Sequence, residues 1–161
     1  MGLLNFLKES ILSKAQEEAP DTVPHYQEET FFGVGVEHYL ENIHKLAVPN
    51  PDWRKRGKTL AAEGKCMQKI FRSSYVNRPV KLIAETNNSH DKNAVMIQIA
   101  GEKVGYIPHD DAKHVREILS KHDVKFISSF ISGGQYKVVS ENGDAVKMEK
   151  YIQVRIKIGY K

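Results

Sequence analysis

Residues 87–93 read NNSHDKN, an unbroken polar and charged run set between the apolar runs VKLIAE and AVMIQI. A plain hairpin needs only about two to five loop residues, so this connection carries more polar groups than chain reversal requires. Asn and Asp side chains fold back on their own backbone and tolerate unusual dihedrals, which assigns Asp91 and Asn93 to shaping the turn. Asn88, Ser89, His90 and Lys92 then keep spare hydrogen-bonding groups. Such a set can take a phosphate, a sugar hydroxyl or the pairing edge of an extruded base, and composition does not choose among them.

A second set lies upstream. Between Trp53 and Lys81 the chain carries nine cations, among them Arg54, Lys55 and Arg56, against one acid, Glu63. Trp53, Phe71 and Tyr75 are interleaved with them. Lys and Arg neutralise phosphates, and flat rings stack on unpaired bases, so the combination suits a single-strand binder. The plainer account is a solvated cationic face over core rings. Phe71 fits that account better, and Trp53, in a polar Pro-Asp setting, fits either. Near the C-terminus Arg155 and Lys157, with Gln153, share one face of an alternating segment. They extend a positive surface or form an ordinary solvent side.

Other chemistries lack their residues. His109 and His114 flank Asp110 and Asp111, but a separation of five does not place two ligands on one helical face. There is no HExxH, EF-hand, P-loop or nucleophile triad pattern, and Gly33 and Gly35 have no third glycine to complete a dinucleotide fingerprint. A lone Cys66 gives no internal disulfide and no cysteine-based zinc site. The nearest carboxylate group, Asp91 with Asp110 and Asp111, is better explained by a helix start at the last two. The expectation is a chain with no catalytic residue, no metal and no cofactor.

These groups must be positioned by elements. Leu4, Leu7, Ile11 and Ala15 fall on one stripe, predicting an amphipathic leader helix over residues 1–18. Residues 19–30, APDTVPHYQEET, read as an acidic linker. Residues 31–161 read as one domain. Within it the patterns predict a strand from Phe31, a helix over Glu37–Ala47, a short helix near TLAAEG, and two strands joined near Val76–Pro79. They also predict a hairpin of AVMIQI with VGYI, and a helix from about His109, capped by Asp110 or Asp111, with Val115, Ile118 and Leu119 inward. Then follow a hairpin turning at Gly133–Gly134 and a last strand over Ile152–Ile158. Many short strands with one or two covering helices imply a mainly β protein bordering on α+β, as a small OB-like barrel with flanking helices. Residues 1–30 carry two lysines against six acids, a net of −4, so the other 131 residues carry +8 of the overall +4. A basic body favours a polyanionic partner as readily as it favours mere solubility. No apolar run approaches the roughly 20 residues of a membrane span, and the N-terminus lacks a secretory pattern. A cytoplasmic setting is expected, with possible uses of residues 1–18 in self-association or in holding a partner helix.

The stretch VKLIAETNNSHDKNAVMIQIAGEKVGYIPHDDAKHV resembles the signature of the HIRAN domain family, in which a strand leads into an Asn-rich, Asp-containing loop, a second strand, a Val-Gly-aromatic-Ile-Pro element and a helix. FFGVGVEHY is similar to the family's first strand. The likeness spans about residues 31–158 and is strongest over 80–119. HIRAN domains accompany Swi/Snf-type fork-repair helicases and also occur alone in bacteria, the type this chain resembles. The resemblance implies a modified OB barrel that binds single-stranded DNA at a free 3′ end, with a role in repair or replication. It places Asn88 and Asp91 at the DNA end, His90 where an aromatic stacks on the terminal base, and Tyr106 at a Tyr-or-His position. His109 falls near a phosphate-binding lysine, and His38 and Tyr39 at an Arg-Tyr pair. Ser89 replaces the family's usual proline, and Glu37 stands at its first-strand arginine. The functional expectation is a non-enzymatic nucleic-acid-binding module for single-stranded DNA or 3′ ends. An assembly module built on the leader is the alternative.

Overall fold

A computed structural model describes residues 25–161; the leader helix expected over residues 1–18 lies outside them. The core is set by strands that alternate apolar side chains. β5 (Val80–Ala84), β6 (Val95–Ile99) and β7 (Glu102–Tyr106) form an antiparallel three-stranded sheet. On β6 Val95, Ile97 and Ile99 are buried. The helix α3 (His109–Lys121) lays Ala112, Val115 and Ile118 against the same core. Each such Ile or Val, removed from water, contributes about 1.5–3 kcal/mol. Helix α3 starts after Pro108 with no side-chain cap, so neither aspartate caps it; Asp110 and Asp111 sit in the first turn, where their charge favours the helix dipole.

The other wall is a four-stranded sheet in the order β1 (Gln27–Phe32), β9 (Ala145–Tyr160), β8 (Val124–Val139), β3 (Ile70–Phe71). Val154, Ile156, Ile158 and Tyr160 of β9 close the core from this side. The segment read as linker is therefore partly strand. Residues 27–30 pair with β9, Glu29 accepts a hydrogen bond from the Tyr160 hydroxyl and lies 2.9 Å from His114 Nε2, and Glu28 lies 2.6 Å from Lys157 Nζ. Acids that look like solvating linker groups are here strand residues with partners. The expected turn at Gly133–Gly134 is also absent. β8 runs straight through both glycines, and the hairpin reverses at Ser140–Asp144. Register slips at this point because β9 carries an extra residue there. Gly133 has φ +107°, and a Cβ on it would lie 2.1 Å from the Tyr151 carbonyl oxygen, so the glycine serves a close strand approach rather than a reversal.

The mainly β class holds, but the strands do not close into a barrel; they form three sheets. After β1 the chain continues through Gly33, whose amide hydrogen-bonds the Val154 carbonyl. It makes one bridge from Val34 to Tyr106 and turns away at Gly35, φ +67°. That single bridge joins the two larger sheets. A 3-10 turn (Val36–Tyr39) and the helix α1 (Leu40–Lys45) follow, in place of one continuous helix.

The rest is an inserted segment. It holds β2 (Val48–Pro49), a 3-10 turn (Pro51–Arg54), helix α2 (Gly57–Ala62) and β4 (Ser73–Ser74). Leu60 and Ile70 pack with Val139 in a second small core under the far half of the β8–β9 hairpin. Lys137 reaches in from β8, nearly buried, and donates to the carbonyls of Trp53 and Lys55 at 2.8 Å each. Burial, with Lys147 nearby, pushes its ammonium below the usual lysine range.

Candidate nucleic-acid interface

The polar run hangs between β5 and β6, closed at its base by the Glu85 amide bonding the Ala94 carbonyl. Asn88 and Asp91 build it. Asn88 Oδ1 accepts from the amides of His90 (2.9 Å) and Asp91 (3.1 Å), and Asp91 Oδ1 accepts from the Asn93 amide (2.8 Å). These are local side-chain-to-backbone bonds that fix turns. The turn-shaping role expected of Asp91 is present, but Asn88 shares it, and one of the two Asn88 Nδ2 donors is taken by Glu85 Oε2 at 3.0 Å. Asn93 contributes its amide, not its side chain. Ser89, His90 and Lys92 are left exposed. From α3, His109 Nδ1 meets Asp91 Oδ2 at 2.8 Å and Arg116 donates to the Lys92 carbonyl at 2.7 Å, which ties the loop to the helix. His109 is held above the usual imidazole range by its bond to Asp91, and Asp91 below the usual carboxylate range by the same bond.

Beside the loop stands a second cluster. The Tyr106 hydroxyl donates to Glu85 Oε2 at 2.9 Å and accepts from Lys103 Nζ. Lys103 lies over two rings, 4.5 Å from the Tyr106 centroid and 5.3 Å from that of Tyr39, and the two rings are 6.4 Å apart. Burial pushes the Tyr106 hydroxyl up, so it stays a neutral donor. Burial alone would lower Lys103, but hydrogen bonds to Tyr106 and Tyr39 outweigh it and hold the ammonium up. The Asn88 amide, against burial and with help from Tyr106 and Lys103, holds Glu85 low. The result is one connected network, Asn88–Glu85–Tyr106–Lys103, with a cation fixed between two partly exposed rings. Such an arrangement can stack a base and offer positive charge to a phosphate.

Of the residues singled out from sequence, Tyr39, Asn88, Asp91, Tyr106 and His109 are brought together, directly or through Glu85. His90 projects from the same loop. His38 is exposed beside Glu37, 3.6 Å away, in the 3-10 turn that carries Tyr39. Arg54, Lys55 and Arg56 belong instead to the insert. Lys55 is committed there: it meets Asp52 at 2.8 Å and Glu63 at 2.9 Å, and Lys65 closes the same quartet. Arg54 and Arg56 remain exposed. Trp53 is half-buried, with the ammoniums of Lys137 and Lys147 at 5.6 and 5.7 Å from its ring.

Sequence reasoning missed Glu85 and Lys103. Strict alternation along β7 puts residues 103 and 106 on opposite faces. A bulge gives β7 one extra residue between the Gln98–Lys103 and Ile97–Gly105 pairs, so both side chains emerge on one side. The available signal was Gly105. Its φ of +153° and a would-be Cβ 2.8 Å from the Val34 carbonyl oxygen mark a bulge under a close strand crossing.

A family model for the HIRAN domain matches residues 63–157, more than half of the chain. The chain belongs to the HIRAN domain family. HIRAN domains bind DNA, so the loop-and-tyrosine cluster is set in a nucleic-acid-binding fold. The match contains the NNSHDKN loop, Glu85, Lys103, Tyr106 and the β8–β9 hairpin up to Lys157; Tyr39 and Arg54–Arg56 precede it. No curated protein and no solved structure matches the chain. Among the described residues of this HIRAN chain, no helix is long and apolar enough to cross a membrane.

Proposed function

We propose that this HIRAN domain binds single-stranded DNA and seats a strand end, the 3′ end by family likeness, between the NNSHDKN loop and the Tyr39–Tyr106 pair, by binding alone and without catalysis. The observation that carries this reading is Lys103, held between two tyrosine rings by a hydrogen-bonded network that also shapes the loop. A terminal base stacks against Tyr39 or Tyr106, as bases do on aromatic platforms, and the adjoining phosphate meets Lys103 or protonated His109. His90 and Ser89, exposed at the loop tip, face the terminal sugar. Because Asn88 and Asp91 already bond their own backbone, they act by holding the loop in shape, which lowers the ordering cost of binding.

Fluorescence anisotropy with 5′-labelled oligonucleotides ending in 3′-OH or 3′-phosphate tests this. Tighter binding of the hydroxyl end, weakened by rising salt, is expected. Equal affinity for the two ends removes end recognition, and no binding at low salt removes the whole reading.

A further inference from the structure

The four-stranded sheet has an outer face that nothing in the described residues covers. Phe32 of β1 and Phe130 of β8 are 53% and 52% exposed, although both are large apolar residues. Between them stands Arg155 of β9, the direct cross-strand partner of both, with its guanidinium 4.5 Å from the Phe130 ring centroid. Arg155 has no carboxylate partner among the described residues, whereas Lys157, on the next row, is taken by Glu28. Further along β8 the same face shows Tyr136, with Lys69 Nζ 5.3 Å from its ring centroid. Residues two apart on a strand share a face, so Phe130 and Tyr136 lie in one line about 20 Å long.

This strip is continuous with the site already described. Phe32 and Val34 project to the same outer side, with Gly33 turned inward toward Ile97 and Val154. Val34 is bridged to Tyr106. Bridged residues present their side chains on one face, so the row Phe130–Arg155–Phe32 leads over Val34 to the Tyr39–Tyr106 pair.

We propose that this outer sheet face carries the body of a single DNA strand whose end is seated at the Tyr39–Tyr106 pair: bases stack on Phe32, Phe130 and Tyr136, and phosphates meet Arg155 and Lys69. The proposal rests on the nucleic-acid reading above and adds a path to it. Two exposed rings and the half-buried Tyr136, interleaved with unpaired cations, fit a polyanion that has flat faces. A purely apolar protein partner would leave Arg155 buried without a counter-charge, which is costly. The length suits the roughly 4–16 nucleotides that such surfaces cover.

The test compares 5′-labelled oligothymidines of three and twelve nucleotides against the full chain and three variants, Phe130→Ala, Arg155→Gln and Asn88→Ala. Phe130→Ala is expected to weaken the twelve-mer about tenfold, the value of one lost base stack, and to leave the three-mer unchanged. Arg155→Gln is expected to do the same with a flatter salt dependence. It also carries the test if Phe130→Ala lowers the melting temperature. If Asn88→Ala weakens both lengths while both sheet variants bind the twelve-mer as tightly as the parent, the path is overturned and the seat stands. Equal loss at both lengths in the sheet variants overturns the path too, since the face would then act through the fold. Sedimentation showing a dimer that Phe130→Ala splits assigns the face to a second copy and overturns it. If the parent chain binds neither oligonucleotide at low salt, the seat fails along with the path.

Discussion

The NNSHDKN loop and the basic turn at Arg54–Arg56 look alike in sequence, each a dense polar stretch suited to DNA, yet they use their polar groups in opposite ways. In the loop, Asn88 and Asp91 bond backbone amides and so hold His90, Ser89 and Lys92 outward. In the turn, Lys55 and Lys65 bond Asp52 and Glu63, and the charges cancel within the insert. One region converts polar side chains into a fixed shape with free groups at its tip. The other ties its middle cation, Lys55, down as an internal staple and leaves Arg54 and Arg56 exposed. Residue type announces a capacity to bind, and the partner already present decides whether any of it is left for a ligand.

The comparison breaks most readily at Asn88. Replacing Asn88 by Ala deletes two bonds to loop amides and one to Glu85, and at about 1 kcal/mol each the stability cost is about 3 kcal/mol. Urea denaturation checks the cost. Anisotropy with a 3′-OH oligonucleotide is expected to show a loss of tenfold or more, although Asn88 itself need not touch DNA. A variant that keeps both stability and affinity would mean that the loop is shaped by something else.

A smaller effect separates the cations of the turn. Arg56→Gln removes an exposed charge, so if the insert meets DNA the salt slope of binding falls by about 1. Lys55→Gln removes a charge already paired with Asp52 and Glu63. It is expected to leave that slope nearly unchanged and to lower the melting temperature slightly, as exposed ion pairs contribute little. Equal slopes for the two variants would erase the distinction drawn between them.

The places where sequence and structure agree and disagree follow the same logic. Strong periodic patterns were legible: β6 and α3 stand where alternation and helical spacing put them, because burial of Val95, Ile97, Val115 and Ile118 decides those elements. The loop's identity was legible as well, since Asn and Asp in that density have few other uses. What was not legible depends on contacts distant in sequence. Gly133–Gly134 reads as a turn locally, but β9 lies close enough there to require glycine, and the strand continues. Glu28 and Glu29 read as linker until β9 supplies Lys157 and Tyr160, well over a hundred residues away. Barrel closure failed for a similar reason: Gly35 turns the chain after a single bridge. Lys103 was hidden by a bulge that shifts the alternation by one.

The smallest expected effect concerns the link between loop and helix, His109 with Asp91. Asp91, together with Asp110, raises the folded-state pKa of His109 above its ordinary 6.5. A raised value means that the folded chain holds its proton more tightly than the unfolded one. The stabilisation is therefore complete below pH 6.5 and is lost as pH rises through the folded value. Asp91 is shifted the other way, from 3.8 downward, with Arg116 contributing, so its share is present above 3.8 and is lost only as pH falls through the depressed value. Between those limits the pair is fully charged, the loop is tied to α3, and His109 adds a positive charge beside the seat. Affinity for a 3′-OH oligonucleotide at fixed ionic strength is then expected to decline as pH rises from below 6.5 through the raised folded-state value of His109. His109→Gln is expected to flatten that decline, because glutamine carries no proton to lose. An undiminished pH dependence in His109→Gln would show that the imidazole bonded to Asp91 is not the group that governs binding.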